Sequence, residues 1–274
     1  MPSLFRDSDG EPLVRRSFCA FLDVLGFRQH VKEAQIAPGG IQAMLNTYLS
    51  AVSPPTDQLL ETAAAVAAWQ VVAFSDSVVL GYPLQTPDAE PEFGALEDEL
   101  LRYQLVLALS GFFVRGGLAI GELFMDERLA FGPALIDAYE LQDTIANTPR
   151  IVLSLEMATL LRKHLGFYAF PSAAPHNQVL LVDSDERVFL NYLSATITEG
   201  EVDVDALARH RSVVEKGLKR YQSSPRIWSK YQWVGSYHNY FIRAQCPGIA
   251  RTGLVIPDST MNRRFSRFAG PTSP

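Results

Sequence analysis

The chain has 274 residues, of which 47% are hydrophobic and 20% are charged, so it can bury an ordinary hydrophobic core. Its formal net charge of −6 and pI near 5.4 oppose nucleic-acid binding over a large surface, which needs a basic face to release phosphate counterions. The two cysteines, Cys19 and Cys246, predict neither a disulfide framework nor a cysteine-rich zinc site. We also expect no membrane span and no signal peptide, and therefore a cytoplasmic protein.

The first part of the chain alternates apolar runs with glycine and proline breaks. Residues 17–24 read as a buried strand, and 28–52 as one or two helices interrupted by Pro38-Gly39-Gly40. Two further apolar runs, 67–75 and 77–82, are separated by a short polar stretch that predicts a hairpin turn.

The next elements complete a recognisable order. They are a loop at 83–91, a helix at 95–110, strands at 112–121 and 123–130, a helix at 133–146 and a strand at 151–154. The resulting order, βααββαββαβ, predicts an α+β fold in which a mostly antiparallel sheet carries helices packed on one face.

Beyond this point the pattern changes to an appended region. It contains a helix at 155–165, short strands at 178–182 and 187–192, and helices at 203–222 and 226–243. The organisation we expect is an N-terminal segment at 1–16, a core at 17–154, an extension of the same domain at 155–256 and a weakly ordered tail at 257–274.

Two aspartates stand out because each lies next to apolar strands. Asp23 ends the first strand just before Gly26, and Asp76 lies between serines in the predicted hairpin turn. A carboxylate among hydrophobic residues is costly to bury unless a cation meets it, and Mg²⁺ is a suitable partner for the pair. The alternatives are that Asp23 caps the following helix and that Asp76 forms an ordinary Asx turn.

Five strings in the core resemble a known family in their order and spacing. They are AFLDVLGF, FSDSVV, RGGLAIGE and FGPALIDAYELQ, followed by PRIVLS. Together they resemble the core of class III nucleotide cyclases and, more closely, the pyrimidine cyclases of bacterial Pycsar antiphage systems. The resemblance covers residues 17–154 and extends more loosely over 183–192 and 233–240.

The resemblance implies a site in which Asp23 and Asp76 hold two divalent ions, Mg²⁺ or Mn²⁺, on a nucleoside triphosphate. The ions would neutralise the developing pyrophosphate and lower the pKa of the ribose 3′-hydroxyl that attacks the α-phosphorus. Backbone N–H groups around Leu25, Gly26 and Phe27, at a helix start, would meet the phosphates.

Two departures from the adenine-specific pattern point to another base. The Lys and Asp that read adenine in related cyclases fall on Val72 and Leu129 here. The resemblance therefore implies a pyrimidine triphosphate, UTP rather than CTP, and Gln70 on the same strand face is a possible hydrogen-bond donor or acceptor for the base.

Two further departures concern the late helix. The ribose-binding Asn and the transition-state Arg of the family fall on Ile136 and Glu140. If the chain is active, another cation must reach the phosphates, and Arg115 is the first candidate and Arg150 the second. The alternative for Arg115 is a structural ion pair with Glu122 or Glu140, and for Arg150 a structural role.

The resemblance also implies partners. The site would form between the subunits of a homodimer, with Arg115 or Glu140 supplied across the two-fold axis, and the cyclic nucleotide would activate a separate effector. Two other functions remain open: a catalytically inactive cyclase-homology domain that senses a nucleotide or partner, and a palm-like polymerase or cyclic-dinucleotide synthase.

The remaining polar and aromatic clusters predict structure and not chemistry. The five histidines show no paired metal-ligand spacing in sequence and are expected to be core or solvated residues. The acidic stretch 183–186 predicts a hairpin turn, and the aromatic residues between 228 and 241 have the helical spacing of a packing face.

Overall fold

The computed structural model describes residues 4–52, 70–250, 253–257 and 263–269. In this part of the chain the strands are β1 (Arg15–Val24), β2 (Gln70–Phe74), β3 (Ser77–Pro83), β4 (Val114–Met125), β5 (Ala130–Phe131), β6 (Ile151–Leu153), β7 (Leu180–Asp183), β8 (Val188–Leu190), β9 (Ile197–Thr198), β10 (Glu201–Val202) and β11 (Phe265–Arg267). The helices are α1 (Phe27–Ile36), α2 (Gly40–Val52), α3 (Glu90–Leu109), α4 (Pro133–Glu140), α5 (Leu155–His164), α6 (His176–Val179), α7 (Val204–Arg220) and α8 (Pro225–Gln245).

One nine-stranded sheet organises the described residues. Its order is β11-β7-β8-β6-β4-β1-β3-β2, with β5 paired to the end of β4. The pairing is antiparallel except between β4 and β6. The predicted α+β fold and the element order up to residue 154 are confirmed, while positions 67–69 of the second predicted strand lie outside the described residues.

The predicted strand at 123–130 is wrong in one respect, because β4 itself continues to Met125 and a turn follows. The Asp126 carboxylate accepts hydrogen bonds from the backbone N–H groups of Arg128 and Leu129, both at 2.9 Å. This local side-chain bonding favours a turn over a strand, and the chain returns only as the two-residue β5.

The two faces of the sheet are covered differently. Alternate residues of β1, such as Phe18, Ala20 and Leu22, join a large core shared with α3, α5, α7 and α8. The residues between them face a smaller core that includes Cys19 and α4. Most helices therefore pack on one face, as predicted, and α4 lies on the other, the face to which the side chain of Asp23 also points.

Close packing of α4 on the sheet depends on Gly117 in β4. A Cβ atom on Gly117 would lie 2.1 Å from the Ala138 carbonyl oxygen, a backbone atom that a rotamer change cannot move. We expect Gly117→Ala to lower the free energy of unfolding by about 1–3 kcal/mol, measured by chemical denaturation.

The control for that change is Gly94→Ala inside α3, where a Cβ meets no atom within 4 Å. Alanine favours a helix interior over glycine, so this variant should be as stable as the wild type or more stable, by up to about 1 kcal/mol. Equal effects of both substitutions would contradict the packing described for Gly117. Gly116 in the same RGGLAIGE string is also closely approached, since a Cβ atom there would lie 2.8 Å from the Phe21 carbonyl oxygen.

The C-terminal part extends the same sheet, and the predicted weakly ordered tail is in part a strand. β11 pairs with β7, and Phe265 packs against the rings of Phe189, Trp233 and Tyr237. The free energy gained by burying Phe265 is enough to order this short strand, although the residues around it are mostly polar. The prediction that the aromatic residues of α8 form a packing face is confirmed, since Trp233, Tyr237 and Phe241 are buried.

Four of the five histidines are buried, namely His164, His176, His210 and His238, in agreement with the expectation of core or solvated residues. His210 and His238 are buried and joined through their Nδ1 atoms at 3.1 Å, and their other nitrogens bond the Tyr192 hydroxyl and the Leu254 carbonyl. Cys19 and Cys246 are both buried and unpaired. No helix among the described residues combines the length and the apolar character needed to cross a bilayer.

Candidate metal and nucleotide site

Asp23 and Asp76 lie at the same end of the sheet, although 52 positions of sequence separate them. Asp23 is the penultimate residue of β1 and is paired with Ser77, the first residue of β3. The neighbouring Val24 N–H donates to the Asp76 carbonyl oxygen at 3.0 Å. The charge of Asp76 adds to the raised pKa of Asp23, which is a further sign of their proximity.

Neither aspartate serves the structural role that the simpler interpretation gives it. The N-cap of α1 is Gly26, and no side chain caps that helix. The carboxylate of Asp76 accepts no hydrogen bond from another described residue, so the Asx turn is not formed there. The turn is instead made by Ser75 in the left-handed conformation, with a φ of 58°.

The Asp23 carboxylate is held on one side by polar side chains of the smaller core. Arg115 Nε donates to Oδ2 at 2.9 Å, and Gln142 Nε2 donates to the same atom at 3.3 Å. Both charged side chains are about a fifth to a quarter exposed, at 20% for Asp23 and 24% for Arg115. Oδ1 makes no hydrogen bond to the described residues and remains free for a ligand. Arg115 thus pairs with Asp23 of its own chain, and not with Glu122 or Glu140.

Burial sets the protonation behaviour of Asp23. It raises the pKa of this carboxyl, and the hydrogen bond and charge of Arg115 oppose the shift. A second cation would stabilise the charged form of this carboxylate, because the cost of desolvation exceeds the stabilisation that Arg115 provides.

The turn after β1 leads directly into a helix start. Gly26 has a φ of 74°, in the left-handed region that favours glycine, and α1 begins at Phe27. The N–H of Leu25 donates to the Phe113 carbonyl at 2.8 Å, so the prediction that it meets phosphate does not hold in this structure. The N–H groups of Gly26 and Phe27 have no such bond in the described chain, as expected before the first helical turn is complete.

A lysine that sequence reasoning missed approaches this turn from α8. Lys230 lines a small cavity of about 50 Å³ together with Leu25 and Gly26. It makes no ion pair with a carboxylate of the described residues, and burial, followed by repulsion from Arg115, lowers its pKa. An anionic ligand would therefore stabilise the charge of this half-buried lysine, which has no paired anion among the described residues.

Arg150 is structural, in agreement with the alternative stated for it. Its guanidinium donates to Asp183 at 2.6 Å and to Asp185 at 2.5 Å, and its side chain is only 3% exposed. Trp233 Nε1 and Arg263 Nε also donate to Asp183, at 2.8 and 2.5 Å. The acidic stretch 183–186 is the turn between β7 and β8, as predicted.

The two predicted base-contacting residues do not come together in one chain. Val72 lies in β2, paired with Val79 beside the Asp76 turn. Leu129 lies in the turn after the far end of β4, about 30 Å along that strand from Arg115, and it is 52% exposed. On α4, Ile136 and Glu140 are exposed. A site containing Val72, Leu129 and Asp23 therefore cannot form within one copy of the chain.

Comparison with known proteins finds similarity among solved structures only. No family model and no curated protein matches the chain. A bacterial light-regulated adenylyl cyclase is 15% identical with a TM-score of 0.41, covering 74% of this chain and 58% of that one. A class III adenylyl cyclase-like ATP-binding protein from Pseudomonas aeruginosa is 14% identical with a TM-score of 0.40, covering 76% and 44%.

A guanylyl cyclase is 16% identical with a TM-score of 0.35, covering 54% of this chain and 78% of that one. The chain thus spans less than two thirds of the length of the light-regulated cyclase. Identities and scores this low transfer neither an activity nor a residue role to this chain.

Proposed function

We propose that this chain is a nucleotidyl cyclase that converts a pyrimidine triphosphate, UTP rather than CTP, to the 3′,5′-cyclic monophosphate and pyrophosphate. In that reaction the ribose 3′-oxygen bonds to the α-phosphorus, the bond from the α-phosphorus to the bridging oxygen breaks, and the hydroxyl proton passes to solvent. The observation that carries the proposal is the pair Asp23 and Asp76 beside an open helix start. Among the described residues, one oxygen of the Asp23 carboxylate and both oxygens of the Asp76 carboxylate have no hydrogen-bond partner.

These residues fit hard divalent cations. Carboxylate oxygens are the ligands that Mg²⁺ and Mn²⁺ prefer, and the side chain of Asp76 makes no hydrogen bond or ion pair with another described residue. Bound by Asp23 and Asp76, such ions would supply charge neutralisation at the phosphates and at the attacking oxygen. Arg115 and Gln142 orient Asp23, and the N–H groups of Gly26 and Phe27 would hold phosphate oxygens.

Lys230 is the cation that we assign to the triphosphate in place of the arginine missing at Glu140. Arg115 is engaged by Asp23 and Arg150 by two aspartates, whereas Lys230 faces the phosphate turn without an ion pair in the described chain. Its ammonium would stabilise negative charge as the pyrophosphate leaves.

We therefore expect Lys230→Met to lower kcat/KM for the triphosphate by about 10- to 100-fold, the effect of losing one charged hydrogen bond. Stability should not fall, because the variant removes a cation that burial disfavours. Lys219→Met on α7, an exposed lysine, is the matched control and should keep full activity. An unchanged kcat/KM in the Lys230 variant would rule out the assigned role.

We further propose that the active form is a homodimer with the site between subunits. Beside Leu25, Gly26 and Lys230 one chain offers a cavity of about 50 Å³, far below the several hundred Å³ that a ligand of this size occupies. Exposed apolar side chains also mark β2, the β4–β5 turn and α4, namely Phe74 at 81%, Leu129 at 52%, Phe131 at 64% and Ile136 at 58% exposure. A second copy would cover this surface and bring its Leu129 toward the first copy's Val72.

Placing a charged side chain on this exposed apolar surface tests whether two copies associate through it. We expect Ile136→Glu to yield monomers in light scattering and to lose activity, whereas Leu155→Glu, which is 69% exposed on α5, leaves both unchanged. Activity that resides in a monomeric Ile136→Glu protein would contradict a shared site.

The reaction itself is tested by incubating the purified protein with an equimolar mixture of ATP, GTP, CTP and UTP and Mn²⁺. Mass spectrometry of the products should show cyclic UMP, with cyclic CMP as the lesser product. Cyclic AMP or cyclic GMP as the main product would overturn the base assignment. Metal-dependent nucleotide binding without any cyclic product would favour the inactive sensor instead. In a defence setting the product would act on a separate effector that binds cyclic nucleotides.

A further inference from the structure

Three helix ends meet at the edge of the fold opposite the Asp23 site. Glu90 is the first residue of α3, His164 the last of α5 and His176 the first of α6. One potential ligand atom from each of these side chains lies within 4.8 Å of the other two. The cluster could not be predicted from the sequence, because neither histidine has a partner residue at the usual metal-ligand spacing.

The hydrogen bonds of His164 define its tautomer. Nε2 lies 2.7 Å from the Asp88 carbonyl oxygen, which can only accept, so Nε2 carries the proton. Nδ1 is then unprotonated, and its lone pair faces His176 Nε2 at 3.3 Å. A ring held by a backbone carbonyl on one nitrogen while the other nitrogen faces a cluster of donors is the usual arrangement of a metal-binding histidine.

His176 is buried in an apolar setting that its own polar atoms do not satisfy. It is 4% exposed and stacks on Phe93 with ring centroids 5.8 Å apart and an interplanar angle of 8°. Its Nδ1 is buried without a hydrogen-bond partner among the described residues.

Glu90 completes the set from α3. Tyr168 donates its hydroxyl to Oε1 at 2.6 Å and so orients the carboxylate, while Oε2 has no partner among the described residues. The residue is half-buried, so a water molecule can reach the fourth position of an ion placed here.

We propose that Glu90, His164 and His176 bind one divalent transition-metal ion, zinc by preference, with water as the fourth ligand. Two imidazoles and a carboxylate are a donor set that zinc accepts in tetrahedral geometry. Two ligand atoms at zinc distances of about 2.0–2.1 Å lie about 3.3–3.4 Å apart at a tetrahedral angle, which matches the 3.3 Å between the two ring nitrogens. The ion would join α3, α5 and α6.

The site is separate from the proposed cyclase centre and does not depend on it. α3 has 20 residues and spans about 30 Å, from Glu90 to the end that precedes Phe113 beside Leu25. Substitutions in one site can therefore distinguish it from the other. The hard ions would be lost with Asp23 or Asp76, and the borderline ion with either histidine.

The test is zinc binding by the full chain, purified without a histidine tag and stripped with a chelator. Titration with ZnCl₂ against a chromophoric competitor should give one zinc per chain, and added zinc should raise Tm. His164→Gln and His176→Gln should each weaken zinc affinity by at least about 100-fold, since each removes a ligand that the fold holds in place. Glu90→Gln, a substitution at a half-buried position that keeps shape, should weaken it by about 10- to 100-fold and covers the case in which a histidine variant fails to fold.

The matched control is the pair Asp23→Asn and Asp76→Ala, which should bind zinc as the wild type does. Co²⁺ in place of zinc should give the absorption bands of a tetrahedral nitrogen and oxygen site, and Glu90→Gln should alter those bands. The proposal is overturned if the wild type shows no zinc affinity in the micromolar range or tighter, if Glu90→Gln and the folded histidine variants bind as the wild type does, or if the aspartate variants alone abolish binding.

Discussion

Asp76→Ala should abolish formation of cyclic nucleotide while leaving the protein folded. We expect kcat to fall by at least about a thousandfold, equivalent to about 4 kcal/mol in the activation barrier, because a carboxylate that holds a catalytic ion is lost. The fold should survive because the Asp76 side chain makes no hydrogen bond or ion pair with a described residue, and the turn depends on backbone contacts at Ser75 and Val24. Product formation and Tm are measured on the same preparation.

The matched control for this change is Asp205→Ala. Asp205 is an exposed acidic residue in the first turn of α7, so its loss affects only local helix electrostatics. Its activity should equal that of the wild type. An Asp76→Ala protein with more than about a tenth of wild-type kcat would show that this carboxylate holds no catalytic ion.

Arg150→Met should have the largest effect on stability. The substitution leaves Asp183, whose side chain is fully buried, with less compensation for its charge, although Arg263 and Trp233 still donate to it. Removing one partner of a buried ion pair costs about 3–5 kcal/mol in the free energy of unfolding. For a chain of this size that lowers Tm by about 6–20 °C, and calorimetry or denaturant unfolding measures it.

Arg16→Met is the control for Arg150, because Arg16 forms an ion pair with Glu156 in which both side chains are more than half exposed, at 58% and 64%. Exposed pairs contribute at most about 1 kcal/mol. In contrast to Lys230→Met, the folded fraction of Arg150→Met should keep its activity per molecule. A thousandfold loss of activity without a loss of stability would mean that Arg150 acts on the substrate after all.

The sequence predicted those parts of the fold that local pattern controls. The apolar run before Asp23, the break at Pro38-Gly39-Gly40 and the polar turn at Asp76 each depend on neighbouring residues, and the structure has β1, the α1–α2 break and the β2–β3 hairpin at those places. The strand ends at Met125, earlier than the sequence pattern predicts, because the side chain of Asp126 forms hydrogen bonds that make the turn.

What could not be predicted depends on contacts between distant segments. Lys230 reaches the phosphate turn only because α8 packs across the sheet, and its helical context gives no sign of this. Glu90, His164 and His176 converge because three helices end together, and β11 forms because Phe265 is buried against α8. Arg115 is a candidate from the sequence alone, but its partner is not, because the pairing of β1 with β4 places Arg115 opposite Asp23.

The most direct measurement follows UTP and Mg²⁺ with the purified protein by phosphorus NMR. We expect cyclisation of UTP: the resonance of a cyclic phosphodiester and that of pyrophosphate should grow in equal amounts as the triphosphate disappears, and 3′-deoxy-UTP should give neither. Release of UMP or inorganic phosphate without a cyclic product, or turnover of the 3′-deoxy compound, would contradict it.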